Sequence, residues 1–185
     1  NKMKLSWSKY ELSKSYDEYI TPKRTVRGHL RKIGNFFESL SFNDLQELDS
    51  ATKSAIKSMG INFRVYSDEG SEERTWPLDF IPRIIKKSEW NIVEKGLKQR
   101  TKALNYFIED CYNEQSFLNS GIINKSLITK SKYFLKFCKG TKLPNKSWAH
   151  ISGSDLIKDI NGDFNVLEDN LRVPSGVSYM LENRY

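Results

Sequence analysis

Histidine and cysteine, which carry most nucleophilic and zinc chemistry, are nearly missing: two of each occur in 185 residues. Cys111 and Cys138 can frame neither a disulfide scaffold nor a zinc site, and they read as reduced thiols of a cytoplasmic protein. His29 lies among arginines and reads as a surface residue. No apolar run approaches the ~18 residues that span a bilayer, and no secretory signal opens the chain, so no membrane partner is expected. A Gly-rich phosphate loop, an internal repeat and a low-complexity tract are also missing. The chain begins at Asn1 rather than Met, so its true start is expected to lie upstream.

Acid is missing locally. Residues 23–32, "KRTVRGHLRK", hold five lysines and arginines without a carboxylate, and residues 121–146 hold seven lysines without one. The net charge is +7. Such stretches either meet a phosphate-bearing partner or form a solvated surface. With 38% hydrophobic and 12% aromatic residues, the chain can build a core and is not disordered.

Residues 1–24 are polar and mixed, and are expected to form a mobile lead-in segment. Val26, Leu30, Ile33, Phe36 or Phe37 and Leu40 follow helical spacing. Asn43 and Gln46 resemble a capping box for a second helix that Gly60 closes. "INFRVY" (61–66) alternates as a strand, "SDEGSEER" reads as a loop, and Pro77 and Pro82 forbid regular helix. Ser88 is expected to cap a long helix reaching about residue 113. Its apolar stripe is Trp90, Val93, Leu97, Leu104, Ile108 and Cys111. Trp76, Trp90 and Trp148 read as core. "GIINKSLI" and "KYFLKFCKG" suggest loop and short strand pieces. The fold class is therefore α+β, with mixed helices and strands.

Asn161-Gly162 separates two strand-like runs and signals a hairpin. With these two residues as the turn, Ile160 faces Asp163 and Asp155 faces Glu168. Glu168, Asn170 and Arg172 alternate, so they share a face. Two opposed carboxylates repel unless a cation or proton lies between them. Two carboxylates and an amide suit Mg²⁺, which usually completes its shell with phosphate and water oxygens. A solvent-facing polar stripe explains the same pattern. Asp169 points to the opposite face, and Asp159 reaches the ligand face only at the turn.

An Asp, a Glu thirteen residues on, an Asn two further and a Pro-x-Gly turn resemble the metal hairpin of ATP-grasp enzymes. More closely, "YDEYITP" (16–22), "FRVYSDEGSEERTWPLDFIPRII" (63–85), "EWNIVEKGLKQRTKALNYFIEDCYNEQ" (89–115) and "HISGSDLIKDINGDFNVLEDNLRVPSGVSYMLENR" (150–184) resemble the circularly permuted, glutathionylspermidine synthase-like ATP-grasp family. The resemblance implies a partial ATP-grasp-like architecture with Mg²⁺ and ATP as cofactors. Asp155, Glu168 and Asn170 take the place of its metal ligands. Arg172 lies where an arginine would meet ATP phosphates or the acyl-phosphate transition state, as the catalytic candidate. Arg83 and Arg100 fall within its motifs as candidates for substrate or phosphate contact, although a structural Arg–carboxylate pair explains each equally well. His150 is a candidate for substrate contact beside the metal, against a structural reading.

The implied chemistry activates a peptide-like carboxylate with Mg-ATP as acyl phosphate and joins it to an amine or thiol. Positioning and charge neutralisation run such phosphoryl transfer, so no side-chain nucleophile is needed. In that family a lysine-bearing subdomain follows the hairpin, beyond Tyr185 here. The full-length protein is expected to be a ligase, and these 185 residues alone are expected to turn over negligibly. The implied organisation is a lead-in over 1–24, a helix-rich α/β region over 25–146, and the metal hairpin with a following helix over 147–185. Two alternatives compete: a non-catalytic scaffold, and a basic nucleic-acid-binding module built on "KSKYFLKFCKGTK", where aromatics interleave with charge. No nucleic-acid motif accompanies that stretch, and nucleic acid is not the expected partner.

Overall fold

Ser41 and Asp44 set the start of a 17-residue helix. The computed structural model of the protein describes residues 5–67, 70–182 and 184. In it the Ser41 hydroxyl accepts from the Asp44 N–H at 3.3 Å, and the Asp44 carboxylate accepts from the Ser41 N–H at 2.7 Å. This reciprocal cap satisfies two otherwise orphaned donors. The cap expected at Asn43 and Gln46 therefore lies two residues earlier, where a hydroxyl and an acid stand three apart. Before it, a single 3₁₀ turn at Gly28–Leu30 leads into α1 (Arg31–Ser39); α2 follows at Phe42–Ser58.

The chain folds as two units, one formed by Asn1–Lys86 with Lys158–Phe164 and the other by Lys87–Ile157 with Asn165–Tyr185. This division departs from the expected boundary at residues 146 and 147. The core of the first unit holds Trp7, Ile20 and Phe37, with Val26, Ile33 and Phe80 packed against them. Ile20 is 1% exposed and bridges to Val26. The Trp7 indole donates to the Gly34 carbonyl at 3.2 Å. The described residues 5–24 supply two of these three buried residues. A segment poor in apolar residues shows no periodicity that would mark them.

Strands β1 (Asn62–Ser67) and β2 (Gly70–Thr75) pair antiparallel, from Asn62 opposite Thr75 to Ser67 opposite Gly70. Most of β2 falls in the segment read as a loop. "GSEERT" carries no apolar residue, so alternation is silent there and the backbone ladder to β1 makes the strand. As expected from the two prolines, residues 76–86 form no helix.

In the second unit α3 runs from Lys87 to Tyr112 and buries Val93, Asn105 and Cys111. Ser88 lies inside this helix rather than before it. Trp90, placed in the core by periodicity, is 43% exposed. The Asp110 carboxylate accepts from the Ser116 and Phe117 N–H groups at 2.8 and 3.0 Å and starts α4 (Ser116–Asn119). The Asn124 side chain caps α5 (Lys125–Thr129), and a 3₁₀ turn covers Lys136–Cys138. The short strand pieces expected over this region are absent among the described residues; local side-chain caps win over weak apolar alternation. Strands β3 (Gly153–Lys158) and β4 (Phe164–Asn170) form the C-terminal hairpin, and α6 (Gly176–Glu182) follows. Among the described residues, no helix is long and apolar enough to cross a membrane.

The hairpin turn differs by one residue from its expected position. Gly162 N–H donates to the Asp159 carbonyl at 3.0 Å, so Ile160 and Asn161 are the central residues. Asp159 N–H then donates to the Asp163 carbonyl at 2.9 Å, and Gly162 takes φ +88°. This is a type I turn with a left-handed glycine behind it. The Asp159 carboxylate selects it by accepting from the Asn161 and Asp163 N–H groups at 2.8 and 3.0 Å. The tip packs within the first unit. The Lys158 side chain is only 8% exposed; its ammonium stands 4.7 Å from the centre of the Phe164 ring, 5.4 Å from that of Tyr16 and 4.0 Å from Glu18.

Candidate functional site

Ser154 decides which way the hairpin's acids point. Its hydroxyl donates to Asp169 at 2.7 Å, so these two residues share a face. The Arg100 guanidinium of α3 grips the other Asp169 oxygen at 2.6 Å. Burial pushes the Asp169 carboxyl up, but the Ser154 hydroxyl and the Arg100 guanidinium together hold it below its usual value. Alternation then turns Asp155 and Glu168 to the opposite face, where both are exposed. Asn170 lies on that face as well: its amide N–H donates to Glu168 Oε1 at 3.0 Å.

The turn contacts alone would pair Asp155 with Leu167. The contact between Ser154 and Asp169 moves the pairing on by one. Leu167 and Glu168 are consecutive exposed residues in a strand that otherwise alternates.

Gly153 and Pro174 close the end of the site. A Cβ at Gly153 would come within 2.9 Å of Pro174 Cβ and 4.0 Å of Asn170 Cβ. The missing side chain lets the proline turn fold back beside Asn170. Between them Val173 adopts φ +48°. For a β-branched residue before proline this is a strained conformation, held by its neighbours. Neither Gly153 nor Ser154 stood out in the sequence. Their signal, small residues two and one before the first acid, carries meaning only once the pairing is known.

The donor set suits a hard cation. Asp155 and Glu168 have no cationic partner among the described residues, although the chain carries net charge +7. With its amide N–H turned to Glu168, Asn170 has its carbonyl oxygen available for a metal. Among the described residues, no three His, Cys, Asp or Glu side chains gather as a metal-binding group, so a cation on this face would rest on two carboxylates and an amide. That matches Mg²⁺, which keeps most of its shell for water and phosphate.

The other candidate residues fall elsewhere. Arg83 makes a two-pronged pair with Glu18, both bonds 2.7 Å, in the first unit. Arg100 is engaged by Asp169, and His150 is exposed before β3. Arg172 is exposed and lines a cavity of about 600 Å³ with Tyr112, Phe134, Cys138 and Trp148. There Tyr112 is sandwiched between Phe134 at 4.8 Å and Trp148 at 4.9 Å. Asn105, buried in α3, accepts from the Trp148 and Ala149 N–H groups at 2.7 and 2.8 Å, and Glu109 accepts from the Trp148 indole at 2.6 Å. These two helix residues thus fix the segment that leads into β3. In the lysine-rich stretch, Phe134 is stacked inside its own fold and Lys132 lies 5.0 Å from the centre of the Tyr133 ring. The proposed stacking platform is therefore already partly occupied by the chain itself.

Residues 82–185 match the family described as circularly permuted ATP-grasp type 2. An uncharacterized protein of Synechocystis sp. is 43% identical over 95% of this chain and 36% of its own length. An uncharacterized protein of Mycobacterium tuberculosis is 40% identical, covering 92% of this chain and 30% of its own. A Frankia alni protein named "Putative glutamate--cysteine ligase 2-3" is 34% identical over 91% of this chain and 19% of its own. The chain thus spans about a third of the length of the first two relatives. No solved structure matches it.

Proposed function

Since the chain belongs to the circularly permuted ATP-grasp type 2 family, we propose that it is part of an ATP-dependent ligase whose metal–nucleotide site includes Asp155, Glu168 and Asn170. The observation that carries this reading is the exposed face holding these three residues, with both carboxylates lacking a cation. The ligase name of the Frankia alni relative supports the reaction class. The substrates are ATP, a peptide-like carboxylate and an amine or thiol, and the place of action is the cytoplasm.

In the proposed reaction a substrate carboxylate oxygen attacks the γ-phosphorus of ATP and ADP leaves. The amine or thiol then attacks the acyl carbon, inorganic phosphate leaves, and the attacking group loses its proton to solvent. Mg²⁺, when bound, neutralises the phosphate oxygens and aligns them. Asp155 and Glu168 would hold it as anionic oxygens, and Asn170 would add a neutral one. Ser154 and Arg100 act through Asp169, keeping β4 turned so that Glu168 faces outward. Arg172, two residues beyond β4, supplies a cation for phosphate charge. No side-chain nucleophile is needed.

The test is an ADP-release assay on the protein in its longer form, with ATP, Mg²⁺, acidic peptides and amines. ADP release that requires both carboxylate and amine, and that collapses in Glu168→Gln, is expected. ADP release unaffected by Glu168→Gln would overturn the assignment.

A further inference from the structure

One ridge of α3 carries Trp90, Glu94, Lys98, Lys102 and Tyr106 at every fourth position. Together with Lys146 these side chains line a cleft of about 560 Å³, within the common size range of small-ligand sites, roughly 300–1,000 Å³. The cleft is charged in an unbalanced way. Its acid, Glu94, is taken by Lys98 at 2.7 Å. Lys102 and Lys146 pair with no carboxylate among the described residues, yet both ammoniums stand by one ring, 5.6 and 5.4 Å from the centre of Tyr106. Both cations are thus held at one aromatic ring with no carboxylate to balance them. Trp90 and Tyr106 are exposed by 43% and 48%, so ring surface is open to a ligand. Asn145 and Lys146 both take left-handed backbone angles, φ +55° and +54°. Two such non-glycine residues in succession are strained, and strain of this kind collects at ligand sites.

We propose that this cleft binds a small acidic peptide, with two carboxylates meeting Lys102 and Lys146 and its apolar parts lying on Trp90 and Tyr106. This rests on the ligase reading, for which it names the carboxylate substrate. Phosphate is the weaker match. The cleft offers neither a guanidinium fork nor a glycine nest, and Trp90, Leu97 and Tyr106 give it apolar surface beside the lysines.

The test leaves out ATP and Mg²⁺, so its failure is separable from failure of the metal hairpin. The isotope-labelled protein is titrated with the dipeptide Glu-Cys, and amide shifts are mapped by NMR. Expected are shifts confined to residues 90–106 and 144–147, with binding about tenfold weaker for each lysine removed in Lys102→Ala and Lys146→Ala. A Lys132→Ala/Lys136→Ala control should bind as the parent does. Shifts spread evenly over the lysines of 125–139, unchanged binding in the Lys102 and Lys146 variants, or tighter binding of inorganic tripolyphosphate at the same residues would each overturn the proposal. Retained dipeptide binding in Glu168→Gln alongside lost ADP release would support both assignments.

Discussion

Gly162 lies against the ring of Tyr16: a Cβ on this glycine would stand 2.6 Å from Tyr16 Cε2 and 2.7 Å from Cζ. Its φ is +88°. The hairpin tip therefore needs glycine twice over, once for the backbone and once for space. Gly162→Ala is expected to destabilise by ~2–3 kcal/mol. In a Tyr16→Ala background the penalty should fall to the conformational part, ~1 kcal/mol. Urea titrations of the four proteins measure this. Equal penalties in both backgrounds would remove the ring contact from the account.

Asp169→Asn should destabilise at neutral pH, and the loss should depend on acid. Ser154 and Arg100 hold the folded carboxyl below its usual value of ~3.9. A depressed folded pKa contributes stability that is present above the unfolded value and is lost as pH falls through the folded one. The gap between parent and Asp169→Asn is thus widest at neutral pH and closes below pH ~4. Melts taken from pH 7 down to 2 check this; a gap that widens in acid would contradict it.

Glu168→Gln should leave the fold intact or slightly more stable, by ~0.2–1 kcal/mol, because it relieves a like charge near Asp155. In the longer protein, stabilisation by Mg-ATP should vanish. Thermal melts with and without Mg-ATP read both effects. An unchanged Mg-ATP shift would reduce the acidic face to solvated surface.

Val173→Asn should stabilise the chain by ~1 kcal/mol. Asparagine tolerates the left-handed conformation that the β-branched valine resists, and Val173 is too exposed for its side chain to be missed. Denaturant midpoints decide the sign.

Asn105→Ala should cost ~2–4 kcal/mol, since it leaves the N–H groups of Trp148 and Ala149 without their acceptor. Alkylation offers an independent view of the same region. Cys111 is buried, and burial, helped by the Asp110 charge, pushes its thiol pKa up, whereas Cys138 is partly exposed. Iodoacetamide at pH 8 should label Cys138 first, with Cys111 following only as the protein opens. Peptide mass mapping over time gives the order.

Local chemistry was legible without the fold. Pro77 and Pro82 excluded helix, the spacing from Val93 to Cys111 marked α3, and Asn161-Gly162 announced a hairpin, because each acts within one turn or one strand period. The outward direction of Asp155 and Glu168 was legible only on the assumption of a two-residue turn. The structure reaches that face by another route: Asp159 moves the turn by one residue, and the Ser154–Asp169 hydrogen bond turns the neighbouring acids outward. Long-range partners decided the rest. Arg100 belongs to Asp169 and Arg83 to Glu18, pairs separated by more than sixty residues. Trp7 and Ile20 enter a core that no periodicity around them predicts. Strand β2 exists because β1 pairs with its backbone, and backbone hydrogen bonds leave no mark on residue type. Periodicity reports what a residue's near neighbours do; which distant group meets its side chain is settled only when the chain has folded back on itself.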